Sequence, residues 1–373
     1  MTNFPNDISD VPAKISAALP DKYASLLESA ARLAEAHGWT IYLVGGYIRD
    51  CLLGVLSFDI DISVEGDALT LATEVASETG GQVEGHDQFS TATVKYPDSF
   101  DLDIVTARRE SYPRPGVLPV VEAGTIADDL ARRDFSINAL AVRLTRSGPS
   151  ELLDPFGGRG DLQAKQVRVL HSASFRDDPT RIFRAVKIAR RLGFTIEKAT
   201  LELILQAVRD GALYTVSVDR VTRELLFIMG EEQGDAMLAD LHHLGVLQAV
   251  HPLLEWPYEP GQVRPYDSAT LSTKDRQETY LTAIGADLAD PEAAETLARG
   301  LNLPTPHVRL LKGGAELGLA WKGLAREELD SWQVYNLLRG IDVKTIEAFA
   351  RLDLLKQEAV PWQRLTLYLN SLR

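Results

Sequence analysis

Two aspartates, Asp59 and Asp61, alternate with Phe58, Ile60 and Ile62 in the stretch SFDIDISV. Residues two apart in a strand share a face. The alternation therefore puts Phe58, Ile60 and Ile62 toward a core and Asp59, Asp61 and Ser63 on the other side. Two carboxylates held close together repel and resist ionising together. A hard divalent cation such as Mg²⁺ removes that conflict, because it prefers carboxylate oxygens together with substrate phosphates. The pattern recurs in FDLDIV, which sets Asp101 and Asp103 opposite Leu102 and Ile104. If these two strands are neighbours, their carboxylates converge into the arrangement that two-metal phosphoryl transfer requires. The plain alternative for either pair alone is a solvated strand face.

Three further groups add to this chemistry. Gly45 and Gly46 precede a short helix, where glycines let backbone N–H groups approach a phosphate and the helix N-terminus favours an anion. Arg49 lies one turn inside that helix and is placed to add a phosphate contact. The segment ARRDFSINAL supplies Arg133 as a phosphate ligand, with Asp134 and Asn138 on one helical face at i, i+4; a surface helix with an internal ion pair accounts for it equally. In DDPTRIFRAVKIAR, Asp178 and Pro179 read as a helix N-cap and first helical residue. Arg181, Arg184 and Lys187 then repeat every three residues, and Arg190 and Arg191 extend the stripe. A solvated charged face is the ordinary explanation of such a stripe, but the chain carries a net charge of −14, so it is a local exception.

These residues need a scaffold. Residues 21–37 read as a helix, IYLVGG as a buried strand running into a turn, YIRDCLLG as a short helix ended by Gly54, and DALTLATEVASETGG as a capped amphipathic helix. Residues 82–105 read as strands with a hairpin turn at KYPDSF. The stretch RRESYPRPGVLPVVEAG reads as a proline-rich surface loop, and ADDLARRDFSINALAVRL as a helix leading into a strand. Beyond about Asp161 strand signals fade and helical stretches punctuated by Pro and Gly take over. The architecture expected is α+β: a head with a small mixed sheet over 1–150, a neck over 151–230, and an all-helical body and tail over 231–373.

Composition narrows the class. Of 373 residues, 45% are hydrophobic and 25% charged, as in ordinary globular proteins. A single cysteine, Cys51, excludes an internal disulfide framework and fits a reducing compartment. The N-terminal stretch has neither the basic nor the apolar region of a signal peptide, and no run approaches the roughly 18 apolar residues of a membrane span. A cytoplasmic protein without membrane contact is expected. The acidic balance argues against a broadly basic nucleic-acid surface and leaves room only for a confined one.

Four motifs in this order, LVGGYIRDCLLGVLSFDIDISV, DLARRDFSINALAV, LLDPFGGRGDL and DDPTRIFRAVKIARRLGF, resemble the class II tRNA nucleotidyltransferases, the CCA-adding enzymes, and the bacterial poly(A) polymerases that share their pattern. The resemblance spans about Tyr42 to Met229. It implies a template-independent enzyme that adds C and/or A of the 3′-terminal CCA to tRNA from CTP and ATP, releasing pyrophosphate. It implies that Asp59 and Asp61 hold Mg²⁺, with Asp103 as a further catalytic acid. Gly45, Gly46 and Arg49 would meet the triphosphate or sugar, and Arg133, Asp134 and Asn138 the ribose and phosphates. Asp178 and Arg181 would read the base, with Arg184 and Lys187 near the nucleotide. The family usually has arginine at the Lys187 position, and lysine keeps the charge but loses the two-pronged fork. An accepting aspartate beside a donating arginine matches the Watson–Crick edges of cytosine and adenine and mismatches those of uracil and guanine. The helical C-terminal region would hold tRNA by shape and backbone.

One departure bears on the product. The 111–124 stretch carries two prolines in PRP and lacks the Asp-x-Arg element of many full CCA enzymes, so a CC-adding or A-adding form is an alternative. A poly(A) polymerase would instead extend generic RNA with long A tracts. A noncatalytic RNA-binding protein conflicts with the intact Asp59-x-Asp61 pair. A dinucleotide-binding oxidoreductase lacks its third glycine. His242 and His243 adjoin leucines and read as helix residues rather than metal ligands.

Overall fold

The computed structural model describes residues 10–55, 59–86, 91–97, 100–263, 265, 268–326, 328–352 and 358–372. The chain forms two compact units. The first comprises Met1–Arg114, Leu118–Ser174 and Thr195–Thr200; the second comprises Pro115–Val117, Phe175–Phe194 and Leu201–Arg373.

The first unit opens with helices α1 (Asp10–Ala18) and α2 (Asp21–Ala36), then strand β1 (Thr40–Val44), α3 (Gly46–Leu53), β2 (Ile60–Glu65) and α4 (Ala68–Thr79). Strands β3 (Gln82–His86), β4 (Thr91–Lys95) and β5 (Asp101–Thr106) follow. After an interruption described below come β8 (Ala141–Thr145) and β9 (Gly148–Leu153). These seven strands form one sheet in the order β3-β4-β5-β2-β1-β8-β9. The β2–β5 pair is parallel and the other pairs are antiparallel. Helix α4 has an aspartate N-cap, Asp67, and a left-handed glycine stop, Gly80, and packs with α2 and over β3, β4 and β5. On the opposite face, Tyr42, Val44 and Ala141 form a buried cluster with Ile126 and Leu130. With apolar cover on both sides, even Ser63 is fully buried. The solvated face that was the plain alternative for β2 does not exist at that position. The strand begins at Ile60, so Asp59 of the alternating stretch stands just before it. Phe58 and the tip of the KYPDSF turn lie outside the described residues.

The proline-rich stretch is not wholly loop. Its ends pair as an antiparallel ribbon, β6 (Arg108–Ser111) with β7 (Val120–Ala123), leaving residues 112–119 as the tip. Arg109 and Glu122 face each other in the register, and their ion pair crosses the ribbon. Helix α5 (Ile126–Ala131) begins with a capping box between Thr125 and Asp128. It ends before the RRD triplet, and a 3-10 turn, Ser136–Asn138, carries the chain on. Strand pairing also persists past Asp161. After α6 (Gly158–Ala164), β10 (Gln166–Val167) pairs in parallel with β11 (Thr195–Ile196).

The second unit is helical. After α7 (Ser174–Asp177), helix α8 (Arg181–Leu192) packs against α10 (Val218–Met229) and α11 (Gly234–His243), with α9 (Lys198–Arg209) between them in sequence. Helix α8 starts later than expected: its N-cap is Thr180, not Asp178. Asp178 acts one step upstream, where its carboxylate accepts from the N–H and the hydroxyl of Thr180 at 3.1 and 2.7 Å. His242 and His243 sit in α11, as expected, and His242 Nδ1 meets Gln248 and the Trp256 N–H rather than other ligating groups. Farther on, helix Thr273–Leu288 lies tightly against Thr305–Leu324, and a Cβ added at Gly285 would stand 2.1 Å from the Leu311 carbonyl oxygen. Among the described residues, no helix is long and apolar enough to cross a membrane.

Candidate active site

The sheet register brings the two carboxylate strands together. Asp61 of β2 pairs with Asp103 of β5, flanked in the same rung by Val44 of β1 and Thr93 of β4. Parallel pairing in register puts both carboxylates on one face, and Asp59 reaches the same place from the strand entrance. One carboxylate oxygen from each of Asp59, Asp61 and Asp103 lies within 4.8 Å of the others. Thr93 Oγ1 donates to Asp103 Oδ1 at 2.5 Å and fixes its rotamer. Burial, followed by the charges of Asp59 and Asp103, pushes the Asp61 carboxyl up to about 6, against the pull of Arg133. Three acidic groups this close are mutually destabilising until a cation joins them. All of their ligand atoms are oxygens, the donor set of a hard divalent ion.

The glycine turn lies beside this triad. Gly45 caps α3 at φ +76°, a conformation that favours glycine. A Cβ there would stand 3.2 Å from Asp61 Oδ2 and 3.1 Å from Arg133 Nη1. The turn, the acidic strand and the RRD segment therefore meet at one point. Gly46 opens α3, and Arg49 folds back so that Nη2 is 3.3 Å from the position of a Gly46 Cβ. Arg49 is held by Asp50 through Nε at 2.8 Å and donates to Asn138 Oδ1 at 2.7 Å. Asn138 Nδ2 in turn donates to Asp134 Oδ1 at 3.0 Å. This last contact matches the expected Asp134–Asn138 pairing, but it spans a 3-10 turn rather than a helical face.

The third motif explains how that turn is held. Asp154 of LLDPFGGRGDL accepts from the Gly158 and Arg159 N–H groups at 2.6 and 3.1 Å, capping α6. From α6, buried Asp161 accepts from the Ser136 hydroxyl and from Arg168. The Ser136 N–H also donates to the Arg168 carbonyl at 2.9 Å. These contacts pin the segment that presents Asn138.

Several residues of the site were not evident beforehand. Thr93 depends on strand pairing, which no local pattern shows. Asp129 is fully buried on α5 and takes Arg132 on Oδ1 and Arg133 on Oδ2, at 2.6 and 2.9 Å. Burial opposes its ionisation, but Arg133 and Arg132 outweigh that and hold its carboxyl below the ordinary range. Its spacing of three and four from the two arginines was a visible signal. Glu110 of β6 accepts from Arg108, Arg132 and Tyr112, tying the ribbon base to the same network.

Asp178, Arg181, Arg184 and Lys187 fall in the second unit. The basic stripe of α8 is not a free surface. Arg190 pairs with Asp240 at 2.5 Å and Arg191 with Glu231 at 2.6 Å. Arg181 is only 3% exposed. Lys187 Nζ lies 5.4 Å from the Phe227 ring centroid. Burial lowers the Lys187 ammonium pKa, against the attraction of Glu224, and burial likewise raises the Glu224 carboxyl. Arg220 of α10, a residue with no motif to mark it, donates to Asp178 Oδ1 at 2.8 Å and to the Gly116 carbonyl at 3.0 Å.

With this geometry in hand, comparison with known proteins gives a consistent result. The family described as "Poly A polymerase head domain" matches residues 41–168, and "Probable RNA and SrmB- binding site of polymerase A" matches residues 193–256. The chain is 40% identical over 250 residues to an A-adding tRNA nucleotidyltransferase of Geobacter sulfurreducens, covering 67% of this chain and 28% of that protein. It is 38% identical over 241 residues to a CC-adding tRNA nucleotidyltransferase of Deinococcus radiodurans, covering 62% and 63%. It thus spans less than two thirds of the length of either relative. Among solved structures, an apo CCA-adding enzyme superposes with a TM-score of 0.79 at 29% identity, covering 96% of this chain and 86% of that one. The Thermotoga maritima CCA-adding enzyme complexed with tRNA gives 0.73 at 28%, covering 98% and 85%. Matched over residues 41–168 and 193–256 by sequence and along nearly all of its length by fold, the chain belongs to the nucleotidyltransferase family of the CCA-adding enzymes and poly(A) polymerases.

Proposed function

We propose that the chain is a tRNA nucleotidyltransferase that adds C, A or both to the 3′ end of tRNA from CTP and ATP, without a template, releasing pyrophosphate. The observation that carries this reading is the convergence of Asp59, Asp61 and Asp103 next to the Gly45 turn and Arg133. The proposed division of the chain is a head over 1–150, a neck over 151–230 and a tRNA-holding body and tail over 231–373. Cys51, the single cysteine, fits the reducing cytoplasm.

Asp59, Asp61 and Asp103 would hold Mg²⁺, whose oxygen-only preference fits their donor set. When bound, the ion supplies activation of the attacking 3′-hydroxyl and neutralises charge on the triphosphate. The protein's own groups do the rest. Arg133, Arg49 and the N–H groups opening α3 would offer positive charge to the phosphates, while Asp134 and Asn138 would help hold the ribose. In the second unit, Asp178 and Arg181 would read the base. The hydrogen bonds described for Asp178 all fall on Oδ1, so Oδ2 is the oxygen proposed to accept from the exocyclic amino group of cytosine or adenine. Arg184 and Lys187 would lie farther along the same helix, near the nucleotide.

The test is incorporation of labelled CTP and of labelled ATP, supplied separately, into tRNA ending at the discriminator base, at C or at CC. Extension of generic RNA in long A tracts would instead mark a poly(A) polymerase.

A further inference from the structure

Arg133 stands in a contested position. Its guanidinium lies beside Gly45 and Asp61, at the edge of three clustered carboxylates that attract it. An arginine drawn fully into that cluster would occupy the charge meant for a cation and would turn its donors away from a phosphate. Fully buried Asp129 opposes this. Its Oδ2 holds Arg133 Nη2 at 2.9 Å, while Oδ1 takes both Nε and Nη2 of Arg132 at 2.9 and 2.6 Å. Of the other two guanidinium nitrogens, Nη1 reaches the Asn138 carbonyl at 3.3 Å and faces Gly45, while Nε is buried without a hydrogen-bond partner among the described residues. One carboxylate thus sorts two adjacent arginines: Arg132 is turned toward Glu110 of the ribbon, and Arg133 toward the site.

We infer that Asp129 is a positioning residue, anchoring Arg133 away from the Asp59–Asp61–Asp103 triad so that the triad stays open to a divalent cation and the guanidinium stays aimed at phosphate. The inference rests on the nucleotidyltransferase reading above. A charge-assisted bond of this kind fixes geometry strongly because both partners are largely withdrawn from water. A purely structural role for Asp129 would affect folding but would leave the cation affinity of the folded protein unchanged.

The experiment measures binding without turnover. Mn²⁺ affinity is read by electron paramagnetic resonance, and affinity for α,β-methylene ATP by calorimetry, on wild type, Asp129→Asn, Arg133→Ala and the double variant. Asp129→Asn should weaken Mn²⁺ and the analogue each by about tenfold. The double variant should recover the Mn²⁺ affinity of Arg133→Ala alone, since the competing cation is gone. If Asp129→Asn folds poorly, Asp129→Asn combined with Arg132→Leu removes a buried anion together with its second partner and should show the same weakening. Wild-type affinities in a folded Asp129 variant, or a double variant that binds Mn²⁺ no better than Asp129→Asn, would overturn the inference. Failure of the wild-type chain to bind either probe would overturn the parent reading instead.

Discussion

In the first unit, three carboxylates crowd within 4.8 Å and Asp61 is driven up to about 6. In the second, cations and anions meet as matched pairs: Arg190 of α8 with Asp240, Arg191 of α8 with Glu231, and Asp178, just before α8, with Arg220 of α10. Both regions are rich in charge, but the first gathers three like charges at one point, while these three cations of the second each face an anion. Charge kept in conflict inside a folded protein costs stability, and that cost points to a ligand that relieves it. Matched charge explains itself by packing helices, so the α8 stripe does not by itself mark a functional site.

This contrast can be broken most directly at Asp61. Asp61→Ala should lower nucleotide incorporation by more than roughly a thousandfold, measured as label transferred to tRNA, while tRNA binding by gel shift is unchanged. Because the folded-state pKa of Asp61 is raised to about 6 from an ordinary 3.8, the folded protein holds that proton more tightly than the unfolded chain. The metal-free protein should therefore gain stability from this group as pH falls from about 6 toward 4, and lose it as pH rises through 6. Asp61→Asn should accordingly stabilise the metal-free protein at neutral pH, by on the order of 1–3 kcal/mol in a urea titration, while inactivating it.

A second effect is expected in the other unit. Arg181→Ala should cut discrimination against UTP and GTP by about a hundredfold, with a smaller change in triphosphate affinity. Equal exclusion of both after the substitution would refute base reading by Arg181. Gly45→Ala strains a left-handed backbone position and crowds Arg133 and Asp61. It should reduce incorporation by about tenfold and stability by about 1 kcal/mol. The smallest change belongs to a satisfied pair: Arg191→Ala, with its partly exposed Glu231 bridge, should alter stability by less than about 1 kcal/mol and leave nucleotide choice unchanged.

The sequence was most legible where a local period carried the information. The alternation around Asp61 and around Asp103 marked both strands, the glycine after α4 marked its end, and four ordered motifs marked the family. It was least legible where partners are far apart in the chain. The Asp61–Asp103 register and the Thr93 bond depend on which strands become neighbours, and the period of a single strand does not encode that. Arg220 acquires its meaning only when the second unit folds and brings it to Asp178 and to the Gly116 carbonyl, far away in the chain. Prolines obscured the ribbon itself, because they cluster at its tip while the pairing is made by its ends. Asp129 was hidden differently. Its helical spacing to Arg132 and Arg133 was visible, but a surface ion pair shows the same spacing, and only its complete burial separates the two.

Transfer of nucleotides to tRNA ends is the proposed work of the acidic triad. Its most direct measurement is label from CTP and ATP, each supplied alone, on tRNA ending at the discriminator base, C or CC, with wild type and Asp61→Ala run side by side. Wild type should add one to three defined nucleotides to at least one of these ends, exclude UTP and GTP, and release pyrophosphate in step, while Asp61→Ala should do none of this. Label appearing equally with Asp61→Ala, or no label from either nucleotide with a folded wild-type protein, would contradict it.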